Sequence, residues 1–178
     1  MEESDLDLAV ELVNTFYALA DPPDRLTDTA TYQRILCQAQ EPALAQELNE
    51  DDFPALVQLR AAIAPLFSAS DLDQAAGVLN GLLQHDRAPV RLTVDQGTAR
   101  WTVSAATAGL SVLRARLLGA LAAHLVRHGT SRLGVCQAPP CTCVFVDRSR
   151  ARTRRYCCDQ CNDRAAAGAY RRRRAVTS

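Results

Sequence analysis

The chain lacks any apolar run long enough to cross a membrane, so the sequence predicts no membrane-spanning helix. We also expect no secretory signal, because residues 1–7 are acidic and no apolar region with a small-residue cleavage site follows them. We therefore expect a reducing, cytoplasmic environment, in which disulfide bonds are rare.

Sequence signatures of catalysis are missing as well. The chain has no glycine-rich phosphate loop, no Gly-x-Ser-x-Gly turn and no paired-carboxylate signature. His124 and His128 lie one helical turn apart, a spacing that can hold a metal ion, but no acidic residue joins them on that face. We expect a solvated face near a helix C-terminus there, and we expect that the protein is not an enzyme.

Lysine is absent, so every fixed positive side-chain charge belongs to arginine. The net charge is zero, but the charges are unevenly distributed along the chain. Residues 1–131 hold nine arginines against seventeen acidic residues, a net charge of −8. Residues 132–178 hold eleven arginines against three aspartates, a net charge of +8. The sequence thus predicts an acidic body and a basic C-terminal segment.

Six of the seven cysteines lie within 26 residues near the C-terminus. Four of them form two short-spaced pairs, Cys136-x4-Cys141 and Cys157-x3-Cys161, with an arginine-rich segment between the pairs. Two such pairs can supply the four thiolates of a tetrahedral zinc site. Disulfide bonds fit a reducing compartment poorly, and cysteines that only pack a core would not cluster in this way. Zinc is therefore the first hypothesis.

Spacing alone leaves the ligand set open. Cys143 and Cys158 could each replace a neighbouring cysteine, and Cys158-x2-Cys161 is a commoner spacing than Cys157-x3-Cys161. Because four sulfur ligands leave no open coordination position, we expect one zinc ion per chain with a structural role. The remaining cysteine, Cys37, falls in an apolar helical pattern and is expected to be buried.

The spacing of apolar residues predicts a mainly α-helical body with one β-hairpin. The first predicted helix runs from Ser4 to Leu19, the second starts at Thr27 or Asp28, and a short third helix lies around Ala43–Leu48. A fourth starts at Asp51 or Asp52 and has a kink or early end at Pro65, and a fifth starts at Asp71. The last runs from Ala105 to His128, with Gly129 as the stop. Residues 90–94 and 101–103 alternate on either side of a turn at 95–98, which is typical of a hairpin.

We place the boundary between two domains after Ser131. Residues 1–131 form the helical body, and residues 132–178 form a small zinc module. In the module, Val144–Val146 is predicted to be a short strand, and a helix is predicted to start near Asp159 and to run into Arg171–Arg174.

The C-terminal cysteines and the residues between them resemble the CGNR zinc finger, from Cys136 to the closing Cys161-Asn162-Asp163-Arg164. The body resembles the ABATE domain that usually precedes this finger, notably in Asp7-Leu8-Ala9-Val10-Glu11-Leu12-Val13-Asn14-Thr15 and Leu59-Arg60-Ala61-Ala62-Ile63. The resemblance implies zinc ligation by Cys136, Cys141, Cys157 and Cys161. It also implies a stress-induced bacterial transcriptional regulator with a DNA-binding finger.

Three positions and one spacing depart from the family pattern. The Cys-Gly-Asn-Arg signature keeps only its cysteine and arginine, Cys161 and Arg164, and Tyr156 replaces the usual tryptophan before the third ligand. One residue fewer separates Cys157 from Cys161 than in the commoner spacing. Zinc ligation tolerates these changes, because all four thiols are retained.

The arginines of the module are the candidate DNA contacts, since a rigid basic surface suits phosphates. They are Arg148, Arg150, Arg152, Arg154, Arg155, Arg164, Arg171, Arg172, Arg173 and Arg174. The first hypothesis is a zinc-dependent DNA-binding transcriptional regulator whose body binds a small-molecule effector, forms a homodimer, or both. The alternative is a zinc-stapled protein-interaction module without specific DNA binding. RNA is a weaker third option, because few aromatic residues lie near the basic surface.

Overall fold

The structure is a computed structural model that describes residues 2–86, 90–95, 98–103 and 109–176, with side chains for 3–84 and 109–174. Its helices are α1 (Glu2–Asn14), α2 (Thr29–Gln38), α3 (Pro42–Glu47), α4 (Phe53–Ile63), α5 (Leu72–Asp86), α6 (Leu110–His128) and α7 (Asp159–Val176). Its strands are β1 (Val90–Asp95), β2 (Thr98–Val103), β3 (Leu133–Val135) and β4 (Val144–Val146). The predicted mainly α fold is confirmed. None of the helices in the described ranges has the length and apolarity needed to cross a bilayer.

The predicted hairpin is present, because β1 and β2 pair antiparallel from Val90 opposite Val103 to Asp95 opposite Thr98. Residues 96 and 97 of its predicted turn lie outside the described residues, as do residues 105–108 at the predicted start of α6.

Helix ends follow the capping residues in most places. Asp28 caps α2, where its carboxylate accepts a hydrogen bond from Thr31 N at 2.7 Å, and Asp71 accepts one from Gln74 N at 2.8 Å at the start of α5. α4 ends at Ile63, and residues 64–68 continue as a 3₁₀ turn around Pro65, which has no backbone N–H to donate. Gly129 ends α6 with a φ of 58°.

Helix α1 differs from the prediction at both ends. It begins at Glu2, so Ser4 lies inside the helix, and it ends at Asn14 rather than near Leu19. The Thr15 hydroxyl donates to Leu12 O at 2.7 Å and accepts a hydrogen bond from Arg60, which holds the chain in a turn at this point. This side-chain competition for the backbone ends the helix although the apolar spacing continues.

An ion pair fixes the loop after α1. Arg60 of α4 binds Asp24 through two parallel hydrogen bonds of 2.6 and 2.7 Å, and these bonds lower the pKa of Asp24. The Arg60 side chain is 12% exposed and the Asp24 side chain is 44% exposed, so the cation is covered while the carboxylate lies partly in water. The pair fixes the loop to α4 through its two parallel hydrogen bonds rather than through burial.

The body's core lies between α1, α4, α5 and α6. Fully buried members include Leu8, Leu12, Leu56, Leu59, Ile63, Leu113, Leu117 and Leu121. A side chain of this kind contributes about 1.5–3 kcal/mol when it leaves water. Val144 and Val146 of β4 belong to the same buried cluster, so the C-terminal segment helps to form the body's core. The division into domains at residue 131 stays a prediction.

Strand β4 is paired on both of its edges. On one edge it forms the antiparallel ladder with β3, in which Gly134 lies opposite Phe145 and Val135 lies opposite Val144. On the other edge, the side-chain amide of Asn14 donates to Val144 O at 3.0 Å and accepts from Val144 N at 2.8 Å. Asn14 thus takes the place of a neighbouring strand.

Replacing Asn14 by alanine should lower the free energy of unfolding by about 1–3 kcal/mol, because it leaves a backbone donor and acceptor of Val144 unpaired. Urea unfolding followed by circular dichroism measures this loss. Asn80→Ala on the exposed face of α5 is the matched control and should cause no loss of stability. Equal stability of Asn14→Ala and the wild type would show that the amide does not hold β4.

Gly134 should not tolerate alanine. A Cβ at this position would lie 2.6 Å from Cζ of the buried Phe145 ring, so overpacking should cost about 1–3 kcal/mol in unfolding free energy. Gly77→Ala in α5 is the control, because nothing lies within 4 Å of the added Cβ, and it should stabilise the helix by up to about 1 kcal/mol. Thermal unfolding of both variants tests the contrast, which fails if Gly134→Ala melts at or above the wild-type temperature.

Candidate metal centre and basic surface

The two predicted cysteine pairs meet at one point. The sulfur atoms of Cys136, Cys141, Cys157 and Cys161 all lie within 4.8 Å of one another, with 3.7 Å between Cys141 and Cys157 and 3.5 Å between Cys157 and Cys161. A tetrahedral ion with Zn–S bonds of about 2.3 Å separates its sulfur ligands by about 3.8 Å. The four thiols therefore fit one zinc ion.

Short backbone contacts position the cysteines. Cys136 directly follows β3, and its N–H donates to Cys143 O at 2.8 Å, which extends the β3–β4 ladder by one step. Cys141 N donates to Ala138 O at 3.0 Å and closes the first turn. Gln137 N donates to Arg155 O at 2.9 Å and joins this turn to the segment that leads to Cys157. Both cysteine pairs are thereby held within a single small module.

Cys161 lies in the first turn of α7, and Cys157 lies just before that helix. Cys136, Cys141 and Cys161 are buried, whereas Cys157 is half-buried. Burial raises the pKa of the Cys161 thiol to about 11. Zinc binding must therefore displace protons, so we expect affinity to fall as the pH falls.

A residue of the body closes one side of this site. Tyr17, in the loop after α1, packs against the cysteine cluster together with Tyr156. Burial and the nearby thiols raise the pKa of Tyr17, so its hydroxyl stays protonated beside the sulfurs. A site with four sulfurs and aromatic cover leaves no coordination position for a reactive water, so the zinc is structural.

The two additional cysteines lie beside the site. Cys143 is buried just before β4, and burial raises its pKa to about 12. Cys158 is exposed, with its sulfur 3.9 Å from that of Cys157. Neither belongs to the group of four mutually close sulfurs. The choice of Cys157 over Cys158 as the third ligand stays a prediction.

Arg164 offsets the excess negative charge of the thiolates. Its Nη2 lies 3.3 Å from Cys161 Sγ and donates to Ala138 O at 2.9 Å. Four thiolates carry two more negative charges than Zn²⁺ neutralises, so a guanidinium in contact with sulfur is favourable. This contact gives a physical reason for Arg164, the arginine that closes the Cys-x-x-Arg signature. Residue spacing in the sequence does not reveal the contact.

Arg154 holds the loop between the cysteine pairs. Its guanidinium donates to the carbonyls of Tyr156 at 2.9 Å and of Cys157, and it lies 5.0 Å over the ring of Phe145. At the other end of the loop, the buried Asp147 carboxylate accepts hydrogen bonds from Ser149 N at 2.8 Å and Arg154 N at 2.9 Å. The loop therefore has a fixed shape.

Two further candidate arginines have partners at the surface. Arg148 forms an exposed ion pair of 2.8 Å with Asp7 of the body, and Arg155 donates to Gln137 Oε1 at 2.8 Å. The side chains of Arg150, Arg152, Arg171, Arg172, Arg173 and Arg174 are exposed. Among the residues whose side chains are described, no hydrogen bond or ion pair engages the side chain of Arg150 or Arg152. Two of the ten candidates, Arg154 and Arg164, thus bind groups of the module itself, although Arg154 is also exposed.

Two expectations about exposure are wrong. His124 is buried at 8% exposure because α6 packs against α1 up to its last turns, whereas His128 is exposed. Cys37 is exposed, because the buried side of α2 is formed by Tyr32 and Leu36, and the next residue points away from it.

A helical body joined to a small module with four clustered thiols defines a zinc-finger protein with a helical N-terminal domain. Residues 132–174 match the CGNR zinc finger, and residues 6–131 match ABATE, described as "putative stress-induced transcription regulator". The protein belongs to the ABATE family, and it carries a CGNR zinc finger behind that domain, as the sequence predicted. A comparison with curated proteins gave no match.

Protein purified without added metal should contain about one zinc ion per chain, because four thiols fill one tetrahedral site. Cys136→Ser and Cys161→Ser should lose this metal, as measured by elemental analysis. Cys37→Ser and Cys158→Ser are matched controls and should keep it. Retention of zinc by Cys161→Ser, or loss in Cys158→Ser, would contradict the ligand set.

Proposed function

We propose that this protein is a DNA-binding transcriptional regulator of the cytoplasm, in which zinc holds the finger and exposed arginines contact DNA phosphates. The observation that supports this proposal is the presence of exposed arginines on two rigid elements of the finger. Arg150 and Arg152 lie on the loop fixed by Arg154, and Arg171–Arg174 lie near the end of α7. Because the backbone of both elements is already ordered, phosphate binding would have to order only the arginine side chains.

The ten arginines have different roles in this proposal. Arg154 and Arg164 stabilise the finger, because their guanidinium groups bind backbone carbonyls and a ligand sulfur. Arg150 and Arg152 are the best placed for DNA on the loop, because both side chains are exposed and unengaged by described side chains. Arg152 adopts a φ of 54°, which turns the chain sharply beside them.

Helix geometry limits how many arginines of α7 can face DNA together. Successive residues lie about 100° apart around a helix, so about two of Arg171–Arg174 can point at one surface at once. These side chains start about 18 Å along the helix from Asp159, at about 1.5 Å per residue. With the two loop arginines, about four phosphates are in reach, each neutralised by one guanidinium.

The acidic body contributes regulation in this proposal. Its net charge of −8 opposes contact with DNA, so DNA binding depends on the finger. The body binds a small-molecule effector, forms a homodimer, or does both. A homodimer would present two fingers to paired half-sites and would gain affinity from the linkage.

The second candidate function is a protein-interaction module. The ion pair between Arg148 and Asp7 favours it, because here a finger arginine already binds an acidic residue of the body. An acidic partner could bind the remaining arginines in the same way. DNA binding by the full chain separates the two candidates.

DNA binding should weaken steeply with salt, with a slope of about −3 to −4 in log affinity against log salt for about four phosphate contacts. The double variant Arg150→Gln/Arg152→Gln should flatten this slope by about two contacts and keep its zinc. Fluorescence anisotropy with mixed-sequence duplex DNA and the full-length protein measures both effects.

Arg34→Gln on the exposed side of α2 removes one positive charge outside the finger; it is the control for a charge change in the body and should leave the slope unchanged. Arg154→Gln should instead lower stability, because three carbonyls lose a donor. No binding at low salt, or binding that ignores salt, would favour the protein-interaction module.

A further inference from the structure

A cleft of about 280 Å³ lies where the body meets the finger. It is bounded by the start of α1, the last turns of α6 and the chain from the end of β4 to Arg148. Its lining includes His124, Arg127, His128, Arg132, Arg148 and Glu3. No zinc-site cysteine lines it, so the cleft is distinct from the metal centre.

Cationic side chains outnumber free carboxylates in this cleft. Three arginines line it, Arg127 and Arg132 flanking the end of α6 and Arg148 after β4. Of the two acidic residues, Asp147 is buried and its carboxylate accepts backbone N–H groups within the finger, so Glu3 is the one acidic side chain at the rim. The cleft therefore favours negative charge.

Two nitrogen atoms in the wall have unused hydrogen-bonding capacity. His124 Nε2 and Arg132 Nε are both buried, and neither has a hydrogen-bond partner among the described side chains and backbone. A buried polar atom without a partner costs about 1–3 kcal/mol. Arg132 Nη1 already donates to Asp147 O at 2.7 Å and to Ser149 O at 3.1 Å, which holds its guanidinium in place. His124 Nε2 is therefore the wall atom to which an oxyanion would bring the missing partner, in the tautomer that carries a proton on that nitrogen.

The electrostatic environment of His124 supports the same interpretation. Burial is the main cause that lowers the pKa of His124 to about 4, and the nearby charges of His128, Arg132, Arg148 and Arg127 contribute to the same shift. Three of these four neighbours are arginines, which stay cationic at neutral pH. The ring therefore lies in a positive potential that a bound anion would neutralise.

We propose that this cleft binds a small oxyanion, such as a phosphate ester or a polycarboxylate, between Arg127 of the body and Arg148 of the finger. The apolar side chains of Leu6, Ala120, Ala123 and Val146 form the rest of the wall and suit the carbon skeleton of such a molecule. Because the ligand would touch body and finger together, it would act as the effector of the regulator. That consequence rests on the proposed function, whereas anion binding does not.

The ion pair between Arg148 and Asp7 should influence how strongly the cleft binds an anion. Arg148 now binds Asp7 at 2.8 Å, with side chains 47% and 55% exposed, and an exposed pair of this kind contributes little to stability. An anion in the cleft would compete with Asp7 for the guanidinium. Removing the Asp7 charge should therefore strengthen anion binding, whereas removing the Arg148 charge should weaken it.

The test is isothermal titration calorimetry of the zinc-loaded full chain with inorganic phosphate and with citrate, compared with sodium chloride at equal ionic strength. We expect saturable binding of at least one oxyanion and none of chloride. Arg127→Gln and Arg148→Gln should each weaken binding at least tenfold, and Asp7→Asn should strengthen it. Binding of phosphate alone indicates a phosphate ester, binding of citrate alone indicates a polycarboxylate, and binding of both indicates recognition of oxyanion charge.

Controls distinguish this site from the basic tail and from a folding defect. Arg34→Gln and the double variant Arg171→Gln/Arg172→Gln should bind as the wild type does. Imidazole NMR signals of His124 should shift with the oxyanion and not with chloride. The proposal is overturned if neither oxyanion binds, if the tail variant abolishes binding, or if Asp7→Asn weakens binding as much as Arg148→Gln. The titration contains no DNA, so its outcome is independent of DNA binding.

Discussion

The pairing of β4 on both edges is the interaction on which the rest of this structure depends. β3 binds one edge, the amide of Asn14 binds the other, and the two valines of β4 enter the core of the helical body. The first cysteine pair lies in the connection between β3 and β4, with Cys136 directly after β3 and Cys141 shortly before β4. The position of the zinc site relative to the body is therefore set by a strand of three residues.

The arginines of the finger divide into those that stabilise the finger and those that are available to a partner. In the finger, Arg154 and Arg164 satisfy carbonyls and a thiolate, and they allow a compact module to form around a metal with excess negative charge. Other arginines of the same segment remain at the surface. A net charge of +8 over residues 132–178 thus overstates the charge available to a partner, because part of it neutralises the finger's own groups.

The sequence predicts those features that depend on local chemistry. The cysteine spacing predicted a zinc site, and the family resemblance selected the four thiols that meet in space. Asp28, Asp71 and Pro65 marked helix ends correctly because each acts within one turn. Features that depend on contacts between distant residues were not predicted. The burial of His124 requires the packing of α6 against α1, and the role of Asn14 requires a strand 130 residues away. Periodicity carries no information about either contact.

The hydrogen bonds of Arg154 have a consequence for the evolution of the finger. The side chains of Arg154 and Asp147 fix the path of the loop, so few of the side chains between them are needed to hold it. Arg150, Ala151 and Arg152 are exposed, and sequence changes there would alter the outer surface without disturbing the zinc ligands. The finger therefore separates the residues that fix its shape from an exposed segment whose sequence can change, much as a scaffold does for an exchangeable loop.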